Sequence, residues 1–298
     1  MKTIIIKPII LNPFFVTGFT DAEGCFSIKI SKSSSKLGWK PQLHFQIGIH
    51  VKDLELLEKI KIFFGNVGSI NVNKKVACYN VRSLNDIIEK IIPHFDQYPL
   101  NTNKSADFTL FKKAAYLLKT KEHLNFKGLQ LLVNLKASSN RGLSLILKNN
   151  FPGTNAVQRS INLIKHIHPE WMAGFTSGDG GFGIRVLKKD KKDKNCAFIF
   201  YLTQDMRDKD LILSFIKFFN CGYTRKDRST INFEVYKFID IYTKIIPFFK
   251  KYHILGVKQY DFKDWVKAAD LMYKQEHRSI LGFAKIKLIK SQMNSRRK

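Results

Sequence analysis

Two stretches of the chain set an acid in the same surroundings. Phe15-Val16-Thr17-Gly18-Phe19-Thr20-Asp21-Ala22-Glu23-Gly24-Cys25-Phe26 returns as Trp171-Met172-Ala173-Gly174-Phe175-Thr176-Ser177-Gly178-Asp179-Gly180-Gly181-Phe182. Each copy carries a small residue at Gly18 or Gly174 and another four positions on, at Ala22 or Gly178, which on an α-helix share one face. Such a face lets two backbones approach closely. The acid follows at Glu23 and Asp179, and then a glycine of the kind that ends helices, Gly24 or Gly180. A carboxylate there meets the negative pole of the helix dipole, which is unfavourable by a few tenths to ~1 kcal/mol unless a cation compensates it. Two such helices packed side by side would bring the carboxylates together, and a hard oxygen pair of that kind suits Mg²⁺. A divalent ion so held makes water nucleophilic and neutralises developing negative charge, which is what phosphodiester hydrolysis requires. A lone acid at a helix end is more simply a solvated surface group; its duplication inside the same string is what argues otherwise.

The elements that must hold these acids follow from the periodicity around them. Phe26, Ile28 and Ile30 alternate with Ser27, Lys29 and Ser31, the period of a half-buried strand. After a polar turn over 32–40, Leu43, Phe45, Ile47, Ile49 and Val51 alternate with Gln42, His44, Gln46, Gly48 and His50, so one face packs and the other offers hydrogen bonds. The spacing then becomes helical from Asp53 to Phe64 and stops at Gly65. Strands over 70–73 and 76–82 follow, and a helix from Leu84 is expected to end before Pro93. The second half repeats this order, with Phe182, Ile184 and Val186 around Arg185, a charged turn from Lys188 to Lys194, a strand through Phe198, Phe200 and Leu202, and strands over 222–226 and 231–236.

The duplication continues beyond the strands. Pro93, Lys104, Asp107 and Phe108 return 154 residues later as Pro247, Lys258, Asp261 and Phe262, while the two acids lie 156 apart. Repetition of this fidelity fixes the architecture. Each repeat reads helix, two strands, helix, two strands, helix, helix, which is α+β rather than parallel α/β. The repeats span 1–133 and 168–298, joined by a linker over 134–167 whose Leu143, Leu145, Ile146 and Leu147 imply a packed helical part. The basic tail from Lys285 is expected to fray past Ser291.

Composition narrows the partner. The chain has 298 residues, 44% hydrophobic, and a net charge of +27 from 51 Lys and Arg against 24 Asp and Glu, so a polyanion is the natural partner. Part of the excess reflects codon bias, since richness in Lys, Asn, Ile and Phe points to an AT-rich organellar, mitochondrial genome. The four cysteines, Cys25, Cys78, Cys196 and Cys221, are far apart and form no C-x-x-C pair, so free thiols in a reducing compartment are expected. Met1–Leu11 is short and broken by Lys7 and Pro8, unlike a signal peptide. No run approaches the ~20 apolar residues that a membrane helix needs.

The duplicated string as a whole resembles the signature helix of the LAGLIDADG homing endonucleases, in their single-chain form with two repeats. It shares the aromatic or aliphatic start, Gly-Phe-Thr, a small residue, the acid, Gly, and an aromatic two residues later. The second copy departs from Asp-Ala-Glu-Gly, and its Asp179 is one methylene shorter than Glu23. The resemblance covers about residues 12 to 285. It implies two pseudo-twofold-related repeats whose antiparallel sheets form a DNA-binding saddle, and a monomer that makes double-strand cuts in a long asymmetric DNA target, across the minor groove. Glu23 and Asp179 would hold two or more Mg²⁺ ions, with Ca²⁺ or Mn²⁺ able to substitute in binding, and the carbonyls of Ala22 and Gly178 would assist. By the same resemblance Gln46 corresponds to a glutamine that orients attacking water, with Tyr201 as its repeat partner, and Lys237 to a basic residue that stabilises charge near the scissile phosphate, with Arg82 at the corresponding place in the first repeat. Gln204 matches Ile49 and is a candidate DNA contact.

A β-ribbon fits the major groove. Lys29, Gln42, His44, Asn71 and Asn73 from the first repeat are candidates to read bases there, as are Arg185, Arg225, Arg228 and Asn232 from the second. The rival on the same scaffold is an intron-encoded maturase, a non-enzymatic RNA-binding splicing cofactor, which the loss of an acid would favour.

Overall fold

The computed structural model describes residues 11–160, 166–188 and 194–294. The expectations for Met1–Ile10, the middle of the charged turn at 189–193 and the last four residues lie outside these. The chain divides into two compact units, residues 1–164 and 165–298.

In the first unit, Asn12 caps helix α1 (Pro13–Glu23) by accepting from the Phe14 N–H at 2.9 Å, and Pro13 takes the first helical position, where a missing N–H costs nothing. The helix passes without a loop into β1 (Gly24–Lys32). Gly24 permits this by its size and not by left-handed backbone, for its φ is −81°, while a Cβ there would lie 2.4 Å from Thr20 Cγ2 and 2.6 Å from Thr20 O. Gly180 repeats the arrangement at φ −76° against Thr176. The expectation of a helix-ending glycine is thus met by steric closeness instead of a special φ.

Strand β1 pairs antiparallel with β2 (Trp39–His50), Gly24 opposite Ile47 and Cys25 opposite Gln46. Helix α2 (Leu54–Phe63) buries Leu56, Leu57 and Ile60, and β3 (Ser69–Asn73) and β4 (Val76–Val81) complete a sheet ordered β1-β2-β4-β3. The alternation has its expected result: Phe26, Ile28, Leu43, Phe45, Ile47, Tyr79 and Val81 are buried on one face. Phe26 meets the rings of Phe45, Phe95, Phe108 and Phe111 with centroids 5.2 to 5.4 Å apart, so helices that follow the sheet pack on the same face.

The helix from Leu84 does not end before Pro93. It runs as α3 (Leu84–Asp86), a π-helical turn (Ile87–Ile91) and α4 (Ile92–Gln97), with Pro93 inside it. Proline removes one N–H and its ring collides with the carbonyl four residues back. The wider turn, in which the Ile92 N–H bonds to Ile87 O, makes room for that ring. Helices α5 (Lys104–Lys119) and α6 (Phe126–Ala137) follow, the latter extending into the segment read as linker. The expected helical part of the linker is α7 (Leu145–Asn150), but of its apolar residues only Leu147 is buried while Leu145 and Ile146 are exposed; the Phe151 ring beyond it lies 5.3 Å from that of Trp39.

The second unit has the same plan. Helix α8 (Pro169–Asp179) leads into β5 (Gly180–Lys188), and β6 (Lys194–Asp205), α9 (Lys209–Phe219), β7 (Tyr223–Asp227) and β8 (Thr230–Val235) give a sheet ordered β5-β6-β8-β7. Helix α10 (Phe238–Asp240), a π turn (Ile241–Ile245) and α11 (Ile246–Lys251) again carry a proline, Pro247, just past the π turn. Helices α12 (Lys258–Tyr273) and α13 (Ile280–Gln292) close the unit. The chain stays pinned as far as Asn294: Met293 is buried and the Asn294 N–H donates to Asp261 at 2.9 Å, the counterpart of the Asn140 N–H donating to Asp107 in the first unit. No helix among the described residues is long and apolar enough to cross a membrane.

Candidate functional site

The two acids of the first signature helix have separate fates. Asp21 is buried and accepts from the Asn101 N–H at 2.8 Å, the Thr102 N–H at 3.1 Å and the Thr102 hydroxyl at 2.5 Å, so it fastens the loop before α5 to α1. Glu23, at the last helical position, stays half-buried. The fastened loop sets the start of α5, where the Lys104 ammonium donates to the carbonyls of Asp21 at 2.7 Å and Ala22 at 2.5 Å, with Thr20 O at 3.4 Å. The Asp21 and Ala22 carbonyls are among those that a helix leaves without an intrahelical partner at its C-terminus, whereas Thr20 O also accepts from the Gly24 N–H, and a cation there opposes the negative pole of the dipole. The compensating charge that the position of Glu23 demands is therefore supplied by lysine.

The second unit reaches the same arrangement with other residues. Ser177 replaces Asp21: its hydroxyl donates to Ala173 O at 2.8 Å and accepts from the Leu255 N–H at 3.1 Å. Lys258 then opens α12 and donates to the Gly178 carbonyl. Asp179 is half-buried and accepts from the Gln204 side-chain amide at 2.5 Å.

The lysines were visible in the sequence as a repeated pair but drew no role, because nothing in a linear motif shows that a residue some eighty positions away returns to the helix end. For the residues that were assigned roles, the register decides the placement. Gln46 lies between Cys25 and Asn80 on the polar face of the first sheet, and Tyr201 lies between Gly181 and Glu234, which makes them counterparts as expected. Gln204, three residues beyond Tyr201 and so on the opposite face of the strand, is expected at the DNA but instead gives its amide to Asp179; Ile49 stands in its place in the first repeat. Lys237 has Ser83, not Arg82, as its counterpart in the first repeat. Val81 and Val235 face Phe45 and Phe200, so Arg82 corresponds to Tyr236, while Lys237, at the N-cap of α10, corresponds to Ser83 at the N-cap of α3. The Ala22 and Gly178 carbonyls, expected to assist a metal, accept from lysine ammonium groups.

The candidate base-reading residues divide by exposure. Lys29, Gln42, Asn71 and Asn73 are exposed on the polar face of the first sheet, and Arg185 and Arg225 on that of the second. Arg228 sits in the β7–β8 turn at φ +52°. His44 and Asn232 share these faces but are buried. Asn232 accepts from the Thr203 hydroxyl at 2.6 Å. Burial, with Lys29 and Arg82 alongside, pushes the pKa of His44 down to about 4, so the ring is neutral near pH 7. Both are part of the sheet surface rather than free side chains.

Each helix end offers a carboxylate, a hard oxygen donor of the kind Mg²⁺ takes, while the neighbouring Ala22 and Gly178 carbonyls are already engaged by Lys104 and Lys258. No group of three or more His, Cys, Asp or Glu gathers among the described residues. A divalent ion would therefore complete its shell with water and substrate oxygens, as Mg²⁺ usually does. All four cysteines are free thiols.

Two segments of the chain, 16–115 and 172–269, match the model of the LAGLIDADG endonuclease family. The chain belongs to that family. It is 37% identical over 287 residues to probable intron-encoded endonuclease 3 of Neurospora crassa, covering 94% of this chain and 54% of that protein, and 36% identical over 299 residues to probable intron-encoded endonuclease 2 of the same organism, covering 95% and 65%. The chain thus spans just over half to two thirds of the length of these relatives. Among solved structures it superposes on the LAGLIDADG homing endonuclease I-SmaMI bound to cleaved DNA with a TM-score of 0.94 and 40% identity, covering 97% of this chain and 98% of that one. The corresponding values for I-GzeII in complex with its DNA target are 0.92, 44%, 97% and 100%. I-SmaMI has also been solved on uncleaved DNA with calcium ions.

Proposed function

We propose that this chain is a site-specific DNA endonuclease that cuts both strands of a long asymmetric duplex by Mg²⁺-dependent phosphodiester hydrolysis, one chain per target. The observation that carries the reading is the recurrence of one half-buried carboxylate, Glu23 or Asp179, at the end of the signature helix in each repeat, each next to a sheet with a polar face in a chain of net charge +27. The likeness to structures solved with DNA supports the same partner. Each acid serves one strand. A bound divalent ion supplies Lewis acidity and a water of lowered pKa. The chain's own residues do the rest: Glu23 and Asp179 offer metal ligands, Gln204 orients the Asp179 carboxylate, and Lys104 and Lys258 hold positive charge at the helix ends, where phosphate charge builds up. The exposed polar faces carry the duplex, lysines meeting phosphate and the more rigid polar side chains meeting bases.

The RNA-cofactor alternative needs no acid at either helix end, and both ends keep one. The deciding experiment uses a duplex selected from a randomised library in the presence of Mg²⁺. Glu23→Gln is expected to abolish double-strand cleavage, and Asp179→Asn likewise, while both variants bind the selected duplex in Ca²⁺ about as tightly as the wild type. Undiminished double-strand cleavage by Glu23→Gln refutes the assignment.

A further inference from the structure

We propose that Arg225 reads a guanine at one base pair of the target, and that the buried carboxylate of Glu234 is the positioning residue that aims its guanidinium. The inference rests on the DNA-endonuclease reading and concerns the second repeat. Glu234 is 3% exposed on the polar face of the second sheet, an unusual place for a carboxylate in a surface meant for a polyanion. Burying it without a partner would be costly, and Arg225 is that partner. The Arg225 Nε and Nη2 both donate to Glu234 Oε1, at 3.1 and 2.8 Å. The arginine side chain is nevertheless 52% exposed, and its Nη1 makes only an exposed ion pair with Asp227 Oδ2 at 3.6 Å, longer than a hydrogen bond and weak in water.

The arrangement is informative because of what it leaves over. Of the five guanidinium N–H groups, Glu234 takes one from Nε and one from Nη2. Those that remain, on Nη1 and Nη2, form the parallel pair that guanine accepts through O6 and N7 in the major groove. A contact to phosphate gains little from such fixation, since a mobile lysine serves it equally well. Tyr223, opposite Glu234 in the ladder, and Tyr236, two residues on, stack at 6.2 Å, and Arg185 lies over Tyr236 at 5.4 Å. The carboxylate thus sits among rings and cations. In the first repeat, Asn71 and Asn80 occupy the places of Arg225 and Glu234, and the Asn80 amide turns back to Cys78 O at 2.9 Å. This guanine contact therefore has no counterpart in the first repeat.

The test is a binding and cleavage profile of the full chain over all single base-pair variants of its selected target. Wild type is expected to favour guanine at one position by about 5- to 150-fold, the span of a good bidentate contact. Glu234→Gln should reduce that preference toward parity while the ranking at other positions stays as in wild type. Arg225→Lys, which keeps a cation beside Glu234 but gives up the fixed parallel N–H pair, should reduce the same preference without loss of folding, and Arg225→Ala should remove it. The proposal is overturned if Arg225→Lys and Arg225→Ala weaken every variant equally, the behaviour of a phosphate contact, or if Glu234→Gln keeps the full preference. Selection by binding in Ca²⁺ reads the same preference without cleavage, so failure of the nuclease reading and failure of this one are separable.

Discussion

At the scale of single residues, the two lysines are the feature that linear motifs conceal. Lys104 and Lys258 start α5 and α12, yet each ammonium ends at the carbonyls that close a signature helix, beside the acid. Replacing lysine by methionine keeps the stem and removes the charge. On the endonuclease reading, Lys104→Met should lower the single-turnover cleavage rate by about 10²-fold, the scale seen when one preorganised donor is removed from a developing anion. Its affinity for duplex in Ca²⁺ should change by less than about tenfold, because a single charge is lost from a surplus of 27. A rate within about twofold of wild type would confine the lysine to capping the helix. The acids themselves were legible because the string around them is duplicated. The glutamine on Asp179 was harder to place, since Gln204 has Ile49 for its counterpart and repeat comparison alone gave it no catalytic neighbour.

At the scale of elements, α1 and α4 are tied through a histidine in an aromatic box. The Thr17 hydroxyl donates to Tyr98 O at 3.0 Å, so its contact with His94 Nε2 at 3.1 Å requires that ring nitrogen to be the donor. Phe63, Phe64 and Phe95 lie edge-on to the imidazole at 4.7 to 5.2 Å. Burial pushes its pKa down to about 3, against an ordinary value of 6.5. Protons therefore bind the unfolded chain more readily between those two values, and the folded state loses stability as pH falls through that window. The slope approaches about 1.4 kcal/mol per pH unit for one group. Urea unfolding from pH 7.5 to 5 should show this loss in wild type, and a His94→Gln variant should show it reduced by about one group's worth; parallel pH profiles would mean that His94 already finds an acceptor when charged. None of this was readable in advance, because burial of a histidine depends on rings brought from α2. By contrast the strands were legible residue by residue, since two-residue alternation leaves a register little freedom. The helix over Leu84–Gln97 was misread at its end, because proline normally stops a helix and the π turn that accommodates it has no signature in composition.

At the scale of the whole molecule, duplication supplies two equivalent frames and divergence makes them unequal. Gln46 and Cys25 in one repeat stand where Tyr201 and Gly181 stand in the other, and a Cβ at Gly181 would lie 2.1 Å from the Tyr201 ring. On the endonuclease reading, such differences, with Asn71 and Asn80 in place of Arg225 and Glu234, suit a target whose two halves differ in sequence. The charge has no such asymmetry of purpose. A surplus of 27 is attracted to any duplex, so affinity and discrimination should depend differently on salt. If about six or more phosphates are neutralised, the affinity for the selected duplex should fall by about 10³-fold or more between 50 and 200 mM salt. A random-sequence duplex of the same length should fall nearly as steeply, because the lost contacts are to backbone. The ratio of the two affinities, set by base contacts, should change far less. Fluorescence anisotropy in Ca²⁺ at four or five KCl concentrations measures both slopes; a shallow slope for the selected duplex would mean that the basic surplus serves something other than the bound DNA.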